Sequence, residues 1–108
     1  MAFQYAAEVK ALKDAEKLRV IVDEKPILLT YYRDTVYAMS DRCPHMKASL
    51  YEGDYEEGIV TCKKHHAQID VETGKVLEKA KLWILKMPTK EAQTYVVKVE
   101  DDKIFVLV

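Results

Sequence analysis

Two short motifs dominate this sequence: Cys43-Pro44-His45 and Cys62-Lys63-Lys64-His65. Sixteen residues, 46–61, separate them. Together they contain both cysteines of the chain and two of its three histidines, an arrangement that random scatter would rarely produce. Each motif offers one thiolate and one imidazole, and both groups bind transition metals. The pattern therefore predicts a metal site built from two loops.

Several kinds of chemistry could use this set of side chains. Two facing loops can supply two Cys to one iron and two His to another, which is the ligand set of a Rieske [2Fe-2S] centre. A Cys2His2 zinc site uses the same ligand types, although common zinc fingers pair Cys with Cys and His with His. Buried cysteines and surface histidines without a metal are the non-functional alternative. Thiol–disulfide exchange is disfavoured, because neither cysteine lies in a Cys-x-x-Cys motif.

The similarity to known proteins extends beyond the two motifs. Four segments, Met39–His45, Tyr51–Asp54, Gly58–Cys62 and Asp70–Lys75, resemble the matching blocks of soluble Rieske-type ferredoxins. The resemblance is strongest to the ferredoxin components of bacterial aromatic-ring mono- and dioxygenases. It implies an all-β fold, a small Rieske-like domain of three antiparallel sheets with two cluster-binding loops.

The resemblance also implies a function and a set of site residues. One [2Fe-2S] cluster per chain would be bound by Cys43 and Cys62 at the inner iron and by His45 and His65 at the outer iron. The chain would be a one-electron carrier between a reductase and a terminal oxygenase or similar acceptor, and not itself an enzyme. The alternatives are a Rieske small subunit of a larger enzyme, such as a nitrite reductase, and a zinc-stabilised interaction domain.

The residues around the second motif predict a low reduction potential. High-potential Rieske proteins carry an extra cysteine in each loop, and the corresponding positions here are Ala48 and Lys64. Those proteins also place a serine and a tyrosine after the second histidine, where this chain has Ala67 and Ile69. Hydrogen bonds to the cluster sulfurs raise the potential. Without those side-chain donors, we expect a potential near the low end of the Rieske range.

Composition and charge limit the possible classes of partner. The 108 residues are 49% hydrophobic and 32% charged, which fits a single globular domain spanning residues 1–108. With 17 basic and 18 acidic side chains, the chain lacks the basic excess typical of nucleic-acid binders. No export signal is visible, and the longest apolar run, Ile104–Val108, is too short to span a membrane. We expect a cytoplasmic monomer that binds neither nucleic acid nor membrane.

Most of the chain is predicted to form short antiparallel strands. Polar or glycine-containing turns are expected at 23–26, 33–34, 72–75 and 101–102, and one helical turn at 11–16. The strands are predicted at 18–22, 27–32, 35–39, 58–62, 67–71, 94–100 and 103–108. The segment 77–85 fits a strand or a helical turn, 83–87 is apolar enough to be a strand, and 88–93 is predicted to be a loop.

Charged side chains near the motifs suggest how a partner could dock. Lys47, Lys63 and Lys64 lie beside or within the two motifs and could form a positive patch that steers an acidic partner. Glu52, Asp54, Glu56 and Glu57 are expected to form a solvated acidic loop that could weaken this field. His66 follows the second motif one position too late to fit its spacing, and is expected not to be a ligand.

Overall fold

Strands dominate the computed structural model, which describes residues 1–42, 49–63, 67–78 and 92–108. One short helix, α1 (Val9–Ala15), and one 3₁₀ helix (Leu50–Glu52) accompany them. The strands are β1 (Phe3–Glu8), β2 (Lys17–Val22), β3 (Lys25–Tyr32), β4 (Thr35–Ser40), β5 (Asp54–Glu56), β6 (Ile59–Thr61), β7 (Gln68–Asp70), β8 (Val76–Glu78), β9 (Thr94–Tyr95), β10 (Val97–Glu100) and β11 (Lys103–Leu107). No helix in these ranges is long and apolar enough to cross a membrane.

The strands form three antiparallel sheets, which confirms the predicted fold class. The first sheet has the order β1-β11-β10, the second β2-β3-β4-β9 and the third β5-β6-β7-β8. The second sheet is connected to the third by the chain that follows β4, and the third returns through the chain between β8 and β9. The two predicted cluster-binding motifs therefore fall at the end of β4 and in the β6–β7 connection.

Tight two-residue turns set the hairpins. At Asp23-Glu24, Arg33-Asp34 and Asp101-Asp102, both central residues have positive φ between 51° and 64°. This is the type I′ geometry, whose twist matches that of the flanking strands. Each turn contains at least one aspartate, which tolerates the left-handed conformation better than most residues do, whereas Glu24 and Arg33 adopt it without that advantage. Gly74, predicted to need a positive φ, has φ of 78°.

The second sheet separates two hydrophobic cores. Successive β3 residues Ile27, Leu28 and Leu29 are all fully buried, with Leu28 in one core and its two neighbours in the other. The core away from the motifs also contains residues of α1 and β11, including Leu12 and Ile104. The core on the motif side joins the second and third sheets; its members are Leu28, Met39, Leu50, Val60, Cys62, Ala67, Ile69, Val71 and Ala92.

A partly buried polar contact also links the second and third sheets. The hydroxyl of Tyr55 on β5 donates a hydrogen bond to the carbonyl oxygen of Tyr31 on β3, at 2.9 Å. Burial raises the pKa of the Tyr55 phenol above its usual value, so this donor keeps its proton at neutral pH.

The structure corrects several sequence-based predictions. The helix is α1, Val9–Ala15, which begins two residues before the predicted turn. The predicted strand 94–100 is two strands, because β9 pairs with β4 whereas β10 pairs with β11. The expected acidic loop contains a strand, β5, and the amino-terminal strand β1 was not predicted. The predictions for 83–87 and most of those for 77–85 and 88–93 lie outside the described residues.

Candidate metal centre

Cys62 is the one predicted ligand that lies within the described residues. It follows β6 directly, and its side chain is fully buried in the core between the second and third sheets. Its backbone N–H donates to the carbonyl oxygen of Ala67 at 2.8 Å. This bond closes the loop that contains the rest of the second motif, so the hairpin β6–β7 holds Cys62 at the base of that loop. Cys43, His45 and His65 lie outside the described residues, as does His66.

Both ends of the first motif's loop meet at one carboxylate. Asp41 follows β4 and is 2% exposed. Its Oδ2 accepts hydrogen bonds from Ser49 Oγ at 2.5 Å and from Arg19 Nε at 2.7 Å, and its Oδ1 accepts one from the backbone N–H of Tyr51 at 2.7 Å. Ser49 and Tyr51 lie after the motif and Asp41 before it. The carboxylate therefore joins the outgoing and returning ends of the loop that contains Cys43 and His45.

Strand β2 supports the returning end of the same loop. Lys17 Nζ donates to the backbone carbonyl oxygens of Tyr51 at 2.5 Å and Gly53 at 2.7 Å. Its ammonium also lies 4.9 Å from the centre of the Tyr51 ring, within the range of a cation–π contact. Arg19, two residues along β2, is the cation that pairs with Asp41. One face of β2 thus provides two cations to the segment after the first motif.

The returning segment then packs against the second loop. A Cβ atom placed on Gly53 would lie 2.0 Å from the carbonyl oxygen of Thr61, the residue before Cys62. Leu50, three residues before Gly53, is fully buried in the same core as Cys62. The segments that flank the two predicted motifs are therefore in direct backbone contact.

The surface beside Cys62 carries charges of both signs. A cavity of about 240 Å³ is lined by Glu52, Gly53, Asp54, Thr61, Cys62 and Lys63. An adjoining cavity of about 350 Å³ is lined by Asp54, Glu56, Glu57, Ile59, Thr61 and Gln68. Of the four acidic residues of the expected loop, Glu52 and Asp54 thus lie beside Cys62, and Glu56 and Glu57 lie beside β6. Lys47 and Lys64 lie outside the described residues.

The sequence did not identify the residues that support the loops. No role was predicted for Asp41, Arg19 or Lys17. The only local signal was the position of Asp41, two residues before Cys43. The Arg19–Asp41 pair spans 22 residues and the Lys17–Tyr51 bond spans 34, so their partners depend on how the strands pair.

Comparison with known proteins agrees with the cluster type that the two motifs predict. The sequence model of the Rieske [2Fe-2S] domain matches residues 2–82. The chain is 35% identical over 78 residues to sulredoxin of Sulfurisphaera tokodaii, covering 72% of each protein. It is 34% identical over 104 residues to the 3-phenylpropionate/cinnamic acid dioxygenase ferredoxin subunit of Escherichia coli K12, covering 94% of this chain and 90% of that one.

Solved structures show the same architecture. The ferredoxin of carbazole 1,9a-dioxygenase from Nocardioides aromaticivorans IC177 superposes with a TM-score of 0.83 and 25% identity. The superposition covers 98% of this chain and 97% of that ferredoxin.

Proposed function

The chain belongs to the Rieske [2Fe-2S] domain family, and from this premise we propose that it passes single electrons from a reductase to a terminal oxygenase or a similar acceptor. It is an electron-transfer protein whose cofactor is a [2Fe-2S] cluster, and its relatives include components of oxygenase systems. The observation that carries the proposal is the pair of intact Cys-His motifs within a chain that aligns with a dioxygenase ferredoxin along most of its length.

We propose Cys43, Cys62, His45 and His65 as the four ligands. The described ligand fits this role, because Cys62 places a soft thiolate donor at the base of a closed loop, in a site shielded from water. When bound, the cluster supplies reversible one-electron chemistry. Cys43 and Cys62 would hold the inner iron. The rings of His45 and His65 would hold the outer iron and provide the path by which an electron leaves toward a docked partner.

The proposal includes the setting in which the carrier works. Residues 1–108 act as one Rieske domain, as a monomer in the reducing cytoplasm, and without membrane or nucleic-acid partners. Zinc is excluded as the family cofactor, since the matched domain is an iron–sulfur one. Several relatives from oxygenase systems are named as ferredoxins. This similarity favours a separate electron carrier over a subunit of a larger enzyme.

Electron counting tests this function directly. Anaerobic titration of the purified protein should consume one electron per chain, reversibly, with the appearance of the electron paramagnetic resonance signal of a reduced Rieske centre. The reduced protein should then be reoxidised by a terminal oxygenase in single-turnover mixing. A protein that takes up no electron, or takes up two, would be inconsistent with the proposed carrier.

The reduction potential should be low and almost independent of pH around neutrality. Ala67 and Ile69 are fully buried apolar residues beside the second loop, so neither side chain can donate a hydrogen bond to a sulfur. We expect voltammetry to give a value near the low end of the range of roughly −150 to +300 mV. With fewer hydrogen bonds to its sulfurs, the cluster should also draw less electron density from the iron-bound imidazoles than in high-potential Rieske proteins. Those imidazoles should therefore stay protonated well above pH 7. The potential should therefore stay flat between pH 6 and 8.

An added hydroxyl tests the cause of that low potential. Ala67→Ser should raise the potential by roughly 40 mV if its hydroxyl reaches a sulfur, since one hydrogen bond contributes about 1 kcal/mol. Ala67→Gly is the packing control, because it changes the same buried site without adding a donor. A wild-type potential well above that of the hydrogen electrode, or a steep fall between pH 6 and 8, would contradict the explanation.

Docking should depend on the charges beside the second loop. Lys63 is exposed and shares a cavity wall with Glu52 and Asp54. If the lysines steer an acidic partner, Lys63→Gln/Lys64→Gln should slow electron transfer at low ionic strength and make the rate less sensitive to salt. Lys103→Gln on β11 is a matched control at an exposed site in another sheet. A faster rate in the double variant would instead assign the steering to the neighbouring carboxylates.

A further inference from the structure

We propose that Asp41 is a positioning residue for the cluster: its buried carboxylate closes the first ligand loop and thereby orients Cys43 and His45. This inference rests on the proposed function, because it concerns the ligands that the function requires. The carboxylate does not need to touch the cluster for this role. It acts by holding together the two chain ends from which the ligand loop departs.

The Asp41 carboxylate is buried and fully paired, so its position is fixed by its contacts. Its side chain is fully buried, whereas its partner Arg19 remains 44% exposed. A buried carboxylate is costly unless it is paired and hydrogen-bonded. Here it accepts bonds from the Arg19 guanidinium, the Ser49 hydroxyl and the Tyr51 backbone N–H, all between 2.5 and 2.7 Å. The backbone N–H of Asp41 donates to the carbonyl oxygen of Pro26 at 3.0 Å.

These bonds connect the two ends of the first loop to each other and to strands β2 and β3. Arg19 belongs to β2, Pro26 to β3, and Ser49 and Tyr51 to the returning end of the loop. Asp41 itself is at the outgoing end. Metal ligands held by a well-packed supporting shell keep their geometry, while ligands on an unsupported loop do not. Because Gly53, two residues beyond Tyr51, packs against Thr61, the same support extends to the base of Cys62.

A positioning role for Asp41 predicts an effect on the cluster itself, which a general loss of protein stability would not produce. Asp41→Asn keeps the size of the side chain but removes the charge that Arg19 pairs with and one of the two strong acceptor oxygens. Hydrogen bonds to charged groups are stronger than neutral ones. We expect the Asp41→Asn holoprotein to lose its cluster to an iron chelator roughly ten- to a hundredfold faster than wild type. We also expect a changed electron paramagnetic resonance line shape after reduction.

Graded and matched variants test the assignment. Ser49→Ala removes one of the three bonds to the carboxylate and should give an intermediate rate of cluster loss, which keeps the test informative if Asp41→Asn does not fold. Asp23→Asn removes the same charge in an exposed turn between β2 and β3 and should behave as wild type. Leu29→Ala opens the core on the other side of the second sheet. It should lower thermal stability without altering the resonance line shape.

The outcomes separate this inference from the proposed function. If wild-type protein holds the cluster but Asp41→Asn and Ser49→Ala lose it at the wild-type rate and keep its line shape, the positioning role is wrong and the carrier function stands. If Leu29→Ala produces the same spectral change as Asp41→Asn, the effect reflects overall stability and the role is again overturned. If wild-type protein holds no iron, the proposed function itself fails.

Discussion

Cys62→Ser should yield a protein without its [2Fe-2S] cluster, whereas wild type should contain about two irons and two sulfides per chain. The cause is the loss of the sulfur ligand at a fully buried position. A serine hydroxyl is a much poorer ligand for iron in such a cluster. The measurements are iron and acid-labile sulfide analysis, and the visible absorbance that gives an iron–sulfur protein its red-brown colour.

The neighbouring residue provides the control for this change. Lys63→Gln alters an exposed side chain next to Cys62 and should keep the full iron content. Cys43→Ser and His65→Ala should lose the cluster in the same way as Cys62→Ser. Each of these variants should also unfold at a lower temperature, because the bound metal ties the two loops together. Stoichiometric zinc in anaerobically purified wild-type protein, or two irons retained in Cys62→Ser, would contradict the assignment.

The sequence predicted the parts of the fold that depend on local chemistry. The polar two-residue turns at 33–34 and 101–102 and the glycine at 74 have local signals, and the structure confirms them. The strand β1 has no such signal, because its register is set by β11, about a hundred residues away along the chain. For the same reason, the break between β9 and β10 was missed: the two strands pair with partners in different sheets.

In the candidate site too, some residues could be predicted from local sequence and others depend on contacts between distant parts of the chain. The four proposed ligands were predicted from residue types and spacing, since cysteine and histidine in paired motifs are unusual enough to suggest a site in the sequence. The supporting residues Asp41, Arg19 and Gly53 are common types whose importance comes from what they contact. An ion pair to a buried carboxylate and a close approach of two backbone segments are properties of the packed sheets, and no local pattern predicts them.

Gly53→Ala should cause a large loss of stability although it leaves every proposed ligand in place. Its φ of −82° is allowed for any residue, so backbone conformation is not the obstacle. The obstacle is space: the new Cβ would lie 2.0 Å from the oxygen and 3.0 Å from the carbon of the Thr61 carbonyl. Because these are backbone atoms next to Cys62, they cannot rotate away. We expect a cost of roughly 2–3 kcal/mol and a Tm lower by on the order of 10 °C.

The clash should also alter the cluster, because relief of it must separate the two ligand loops. We expect Gly53→Ala to be isolated with less iron than wild type, or with an altered visible dichroism spectrum. Glu52→Ala is the matched control: it changes the adjacent exposed residue and should shift stability by no more than about 0.5 kcal/mol. Wild-type Tm and iron content in Gly53→Ala would show that the segment 50–53 can move away from Thr61. In that case, the contact between the two flanking segments would not hold the ligand loops together.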